Sequence, residues 1–270
     1  MSAPALKPPF SYYGGKTTLA PQIAKLLPAH DHYVEPFAGS LAVLLAKEPS
    51  PMETVNDLDG DLMTFWRALR EQGQELERLC KHTPHSREEY YSSWQDLSDL
   101  PDIERARNVF VRLTQGRSHS MERHGWWYRK TSAGRSPANY IKSYTSRLSG
   151  VSERLSLVAL ESRDAVELAI EYGAEPSVCI YADPPYLGST RERNYGIEML
   201  EDDLHVQLAD ALNSCKASVV LSGYASPLYE ELYEGWHRYE LKAPTRLSGT
   251  AAPNEILWSN VPLGNQASLF

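Results

Sequence analysis

The 270-residue chain carries 27 Lys and Arg against 35 Asp and Glu, a formal net charge of -8 that by itself argues against a phosphate-rich partner. Its 42% hydrophobic and 23% charged residues suit a globular core and exclude a disordered chain. No apolar run nears the roughly 18 residues of a membrane span. Residues Met1 to Lys7 lack the basic-then-apolar pattern of a secretory leader. The three cysteines, Cys80, Cys179 and Cys215, form no CxxC pair, which disfavours a zinc site or disulfide framework and points to a reducing cytoplasm.

In chain order, His32 to Ala38 reads as a short buried strand running into a Gly turn, and Leu41 to Lys47 as a helix. Glu53 to Asp57 is a second strand, followed by a helix over Leu58 to Arg70. Two strands joined through a helix imply a βαβ unit and a parallel sheet. Residues 72–154 break the alternation and read as an inserted, mainly helical subdomain. The alternation resumes with a strand at Leu157 to Leu160, a helix at Ala165 to Tyr172, and the continuous apolar run Val178 to Ala182, typical of a central parallel strand. A helix over Asp203 to Asn213, a strand over Ala217 to Ser222 and a helix over Pro227 to Trp236 follow. Tyr239 to Ala243 and Glu255 to Trp258 form a closing hairpin. About seven strands make a doubly wound, Rossmann-like α/β sheet, built from residues 1–71 and 155–270.

The charge is unevenly spread. Arg105 to Arg154 holds eleven basic residues against the two acids Glu122 and Glu153, a net of +9 that leaves -17 elsewhere. Aromatic residues Trp126, Trp127, Tyr128, Tyr140 and Tyr144 are interleaved with these charges. Basic groups track phosphates while flat rings stack on bases or wedge between them. Arg112, Arg117, Arg123, Trp126, Trp127, Arg129, Lys130 and Arg135 are therefore the candidate nucleic-acid contacts. Arg191, in the Ser189 to Tyr195 stretch, is a further phosphate candidate, and Arg246 to Asn254 is a Gly/Ala/Pro-rich segment expected near the nucleic acid.

Asp183-Pro184-Pro185-Tyr186 closes the Val178 to Ala182 strand, at the edge where open α/β sheets bind ligands. The prolines remove donors and stiffen the turn, so a carboxylate, a fixed carbonyl and a ring form a site for a planar group bearing an NH2. With Pro9 to Lys16 (PFSYYGGK), Tyr33 to Val43 (YVEPFAGSLAV), Asn56 to Asp61 (NDLDGD) and Val219 to Tyr224 (VVLSGY), the sequence resembles the DNA adenine-specific N(6)-methyltransferases related to the Dam enzymes. The matching blocks run from about residue 7 to about 260, in the alpha order of amino-methyltransferases: Gly turn, insertion, DPPY.

The resemblance implies methyl transfer from S-adenosylmethionine to adenine N6 in double-stranded DNA, with residues 72–154 as target-recognition domain. The adenine amine is a poor nucleophile because its lone pair is delocalised. If Asp183 and the Pro184 carbonyl accept its hydrogens, the nitrogen moves toward tetrahedral geometry, and these acceptors help most as positive charge develops. Tyr186 would stack on a base that must first be flipped from the duplex. The cofactor candidates are Tyr12, Lys16, Glu35, Pro36, Phe37, Gly39, Ser40, Asp57, Asp164 and Asp183. Gly39 permits close backbone approach, and Asp57 ends the second strand where acids of nucleotide folds accept from ribose. Lys16 meets the methionine carboxylate or holds the pocket. The family's second Gly in this turn is replaced by Leu41. The eight histidines show no HExxH spacing and methyl transfer needs no metal. Without a sustained heptad the default is a monomer, in the cytoplasm of a bacterial or phage-infected cell. The alternatives are another acceptor amine, on cytosine or an RNA base, and a catalytically silent DNA-binding relative.

Overall fold

The computed structural model describes residues 6–131, 136–185, 202–241 and 254–264. Among these, the elements follow in chain order as α1 (Ala20–Leu26), β1 (His32–Glu35), α2 (Ala42–Ala46), β2 (Met52–Asn56), α3 (Gly60–Glu71), α4 (Gly73–His82), α5 (Arg87–Ser92), α6 (Asp102–Gln115), α7 (Pro137–Thr145) and α8 (Leu148–Leu155). After them come β3 (Ala159–Glu161), α9 (Ala165–Gly173), β4 (Val178–Ala182), α10 (Asp202–Asn213), β5 (Ser218–Gly223), α11 (Pro227–Leu232), β6 (His237–Leu241) and β7 (Glu255–Ser259).

The strands form one seven-stranded sheet in the order β3-β2-β1-β4-β5-β7-β6. The first five are parallel, and β7 is antiparallel to both β5 and β6, as expected of the closing hairpin. Strand order reverses between β1 and β4, which pair His32 with Val178 and Val34 with Ile180. Helices leaving these two strands diverge, so a crevice opens beyond Glu35 and Ala182.

Period-2 alternation sorts the strand side chains onto two faces. Tyr33, Cys179, Tyr181, Val220 and Leu257 join one core with Phe65, Trp66, Phe110, Leu148 and Val151. Val34, Ile180, Val219, Leu221 and Trp258 join the other with Leu168, Leu208, Leu212 and Tyr229. The insertion contributes to the first core: Leu76, Cys80, Val109 and Leu113 pack there, and α6 and α8 both lie against α3.

Several boundaries move for local reasons. The first strand ends at Glu35 rather than Ala38, because Pro36 offers no N–H to the ladder. The third begins at Ala159, with Leu157 almost wholly exposed before it. The helix from Pro227 stops at Leu232, short of the left-handed Gly235. β6 begins at His237, and residues 242 and 243 of the expected strand lie outside the described residues.

Ion pairs offset part of the +9. Arg105 and Arg112 share the Asp61 carboxylate at 2.8 and 2.9 Å, Arg107 bonds Glu89 and Glu104 at 2.8 Å each, and Arg154 bonds Glu53. Asp61 and Glu53 lie in the part of the chain counted as acidic, so tertiary pairing cancels charges that a linear count keeps apart. Arg112 in particular is buried, donates from Nε to the Ser93 carbonyl at 2.6 Å and lies over the Trp94 ring. It braces α6 against α3 and is not presented to DNA.

Candidate active site

A cavity of about 300 Å³ occupies the crevice. Every predicted cofactor residue lines it: Tyr12, Lys16, Glu35, Pro36, Phe37, Gly39, Ser40, Asp57, Asp164 and Asp183, with Pro184 and Pro185 beside Asp183. Tyr186, Arg135 and Arg191 lie outside the described residues, as does Arg246 to Pro253.

The floor is the turn between β1 and α2. Gly39 has φ +45°, and a Cβ there would stand 3.3 Å from the Tyr12 ring. Leu41, which stands where the resemblance leads one to expect a second Gly, is also left-handed, at φ 56°. Its side chain is wholly buried in the first core, which offsets that backbone strain. Gly39→Ala should weaken S-adenosylmethionine binding by about tenfold or more, through about 1–2 kcal/mol of left-handed strain and a crowded Tyr12. Calorimetric titration of the variant reads this out, and an unchanged Kd contradicts it.

Asp57 braces that turn. Its Oδ2 accepts from Gly39 N at 2.9 Å and its Oδ1 from Asp59 N at 3.0 Å. Asp59 instead caps α3, accepting from Asp61 N and Leu62 N. Asp164 caps α9 through Oδ1, accepting from Val166 N and Glu167 N, while lining the far wall. Sequence reading missed Asn56, which ties these turns together. Fully buried, it donates from Nδ2 to the Pro36 and Arg163 carbonyls and accepts from Arg163 N. Its signal was an amide closing a buried strand, where hydrophobic burial alone would select an apolar residue.

At the tip of β4, the Lys16 ammonium chelates Asp183, at 2.6 Å to Oδ1 and 2.8 Å to Oδ2. Burial pushes the Asp183 carboxyl up to about 6, against the pull of Lys16 and with a further push from Glu255. Burial also raises Asp57 to about 6 and Glu35 to about 8, although Glu35 accepts a hydrogen bond from the Tyr33 hydroxyl at 2.9 Å. Three carboxyl groups pushed up by burial therefore face one cavity. A ligand bearing positive charge relieves that penalty, and S-adenosylmethionine, with its sulfonium and ammonium, has this chemistry.

Above the cavity, α6 runs into a turn-back held by Arg117 N to Gly125 O and Trp127 N to Gln115 O. Its root reaches the site: Ser120 and Met121 line the cavity, and Tyr13 N donates to the His119 carbonyl. Trp126 stacks on His85 and Tyr128, with the Arg87 guanidinium 4.8 Å from its ring, and Arg117 lies over Tyr128. Arg123 and Arg129 lie over Tyr91 and Trp127, and Trp127 packs edge-on to Tyr140. Arg87, Arg117, Arg123, Arg129 and Lys130 are all exposed. Arg87 was missed because it precedes the basic segment in sequence and joins it only through the ring stack.

A doubly wound sheet, a glycine turn braced by an acid at the switch point, and an Asp-Pro-Pro acceptor on the neighbouring strand define an S-adenosylmethionine-dependent amino-methyltransferase. The signature of the D12 class N6 adenine-specific DNA methyltransferases matches residues 12–247, and the chain belongs to that family. It is 27% identical to the type II methyltransferase M1.LlaDCHI of Lactococcus lactis, over 90% of each chain. It is 23% identical to the retron Ec67 DNA adenine methylase of Escherichia coli, over 90% of this chain and 86% of that one. With the type II methyltransferase M.MjaIII of Methanocaldococcus jannaschii it shares 26% identity over 86% and 89%. The protein is a DNA adenine N6-methyltransferase that uses S-adenosylmethionine. Among the described residues no helix is long and apolar enough to cross a membrane, and no cluster of potential metal ligands occurs.

Proposed function

We propose that this enzyme methylates an adenine flipped out of double-stranded DNA at a specific site, with Asp183 and the Pro184 carbonyl as acceptors for the N6 hydrogens. The supporting observation is the Asp183 carboxylate, held at the cavity edge on a stiff proline turn and linked to Lys16. S-adenosylmethionine supplies the methyl group, with Gly39, Asp57, Glu35 and Asp164 as the residues that hold it. Asp183 and Pro184 draw the amine hydrogens into the plane of their oxygens and so orient the nitrogen lone pair out of the ring plane. As positive charge grows on nitrogen, the carboxylate stabilises it; the proton leaves afterwards. Tyr186 stacks on the base, and residues 72–154, including Arg117, Arg123, Arg129 and Lys130, hold the DNA. The enzyme acts as a monomer, in the cytoplasm of a bacterial or phage-infected cell.

Incubation with labelled S-adenosylmethionine and a set of duplexes, followed by digestion to nucleosides, tests this. The expected product is N6-methyl-2′-deoxyadenosine from duplexes sharing one short motif. Label on cytosine, or on single strands alone, would refute the assignment.

A further inference from the structure

The sheet buries a second acid behind Asp183. Glu255 opens β7, is 4% exposed, and accepts a hydrogen bond from the Ser222 hydroxyl at 2.7 Å. Its Oε1 lies 3.6 Å from the same Lys16 Nζ that chelates Asp183 at 2.6 and 2.8 Å. Lys16 is buried as well, and its ammonium also donates to the Gly14 carbonyl at 3.2 Å. One cation thus stands between two carboxylates, bonded to the first and just short of the second.

We propose that Glu255 is a positioning residue that gives the Lys16 ammonium a second berth, to which it withdraws when the substrate amine engages Asp183. The inference rests on the reading of Asp183 as the amine acceptor. An ammonium chelating both Asp183 oxygens competes with the amine for its acceptors. It also draws off the negative charge needed as the amine nitrogen becomes cationic, and like charges at such separations repel strongly in a buried site. Withdrawal by roughly 0.8 Å would turn 3.6 Å into a charge-assisted hydrogen bond of about 2.8 Å. The flexible four-carbon stem of lysine permits this, and the Ser222 hydroxyl fixes the receiving carboxylate.

The electrostatics agree. Burial works to lower the Lys16 pKa, but Asp183 and Glu255 together hold it above its ordinary value, so the ammonium keeps its charge between them. Tyr224 also faces the ammonium, and Glu35 and Tyr181 face Asp183.

Glu255→Gln keeps the shape and an acceptor for Ser222 while removing the charge. We expect kcat on duplex DNA to fall about tenfold or more, with Kd for S-adenosylmethionine and for duplex within about twofold. The acid limb of the kcat profile, which titrates the substrate-bound enzyme, should move to lower pH, because Lys16 then remains on Asp183; a merely structural loss lowers the amplitude and leaves the limb in place. In a Lys16→Met background the same substitution should have little further effect, the coupling expected of a residue acting through Lys16. Wild-type kcat with an unmoved acid limb in Glu255→Gln, or an equal loss in both backgrounds, overturns the proposal. If Lys16→Met is inactive or unfolded, the position of the acid limb decides alone. Wild-type enzyme that methylates no adenine overturns the underlying reading and the proposal with it.

Discussion

Asp183→Ala is expected to lower kcat by about 10³-fold, while S-adenosylmethionine still binds within a few-fold of wild type. Removing one preorganised group aimed at developing charge costs about 10²–10³ in rate, and here the same substitution also removes the group that orients the lone pair. The substitution strands Lys16, whose ammonium is buried, and breaking such a pair is costly in stability. Glu255 at 3.6 Å offsets part of that cost. Asp183→Asn keeps one acceptor and the packing, so it separates loss of charge from loss of structure; it should remain folded and lose most of the activity. Single-turnover transfer of labelled methyl, beside calorimetric cofactor binding and thermal melting, reads all three quantities. Substantial turnover in folded Asp183→Ala would remove the carboxylate from the mechanism.

The same group sets a pH dependence. Only the ionised carboxylate accepts both charge and hydrogen from the amine. Burial lifts its pKa from the ordinary carboxylate range to about 6. Activity should therefore fall as pH drops through 6, with log kcat/KM approaching unit slope below it. A profile flat from pH 7 to pH 5 contradicts this.

Legibility followed the range of the interactions involved. β4 was read with its full bounds because a strand buried on both faces must be apolar throughout. The glycine turn after the first strand and the proline turn after β4 were each legible, but that β1 and β4 are neighbours was not; their pairing brings Glu35, Gly39 and Asp183 together across nearly 150 residues of chain. Asn56 and Glu255 escaped notice because their work is tertiary. Asn56 bonds to carbonyls on two separate turns, and Glu255 faces a lysine from the other end of the chain. Neither belongs to a periodic pattern, and each looks in sequence like any polar residue beside a strand. The insertion was recognisable as helical by its break in alternation, but not its share in the first core, since α6 and α8 meet the α3 face from 30 or more residues away.

The second large effect concerns the basic residues, which the fold divides into two kinds. Asp61 lies between Arg105 and Arg112, which hold its carboxyl below the ordinary value even though burial works against them. Arg112→Met should destabilise the protein by about 2–3 kcal/mol, less than the roughly 3–5 kcal/mol of breaking a fully buried pair, because Arg105 still neutralises a partly exposed Asp61. The loss includes the donor to the Ser93 carbonyl and the contact with Trp94. It should appear as a lower urea midpoint, with the salt dependence of DNA binding in the folded variant unchanged. Arg117→Ala and Lys130→Ala should do the reverse. Both side chains are exposed, Arg117 over the Tyr128 ring, so stability should hardly move. Each should lower the slope of log K against log salt by about one, as expected when one phosphate contact is lost. An Arg112→Met protein of wild-type stability and reduced salt slope would return that arginine to the DNA. It would also mean that the packing around this buried guanidinium opens on binding.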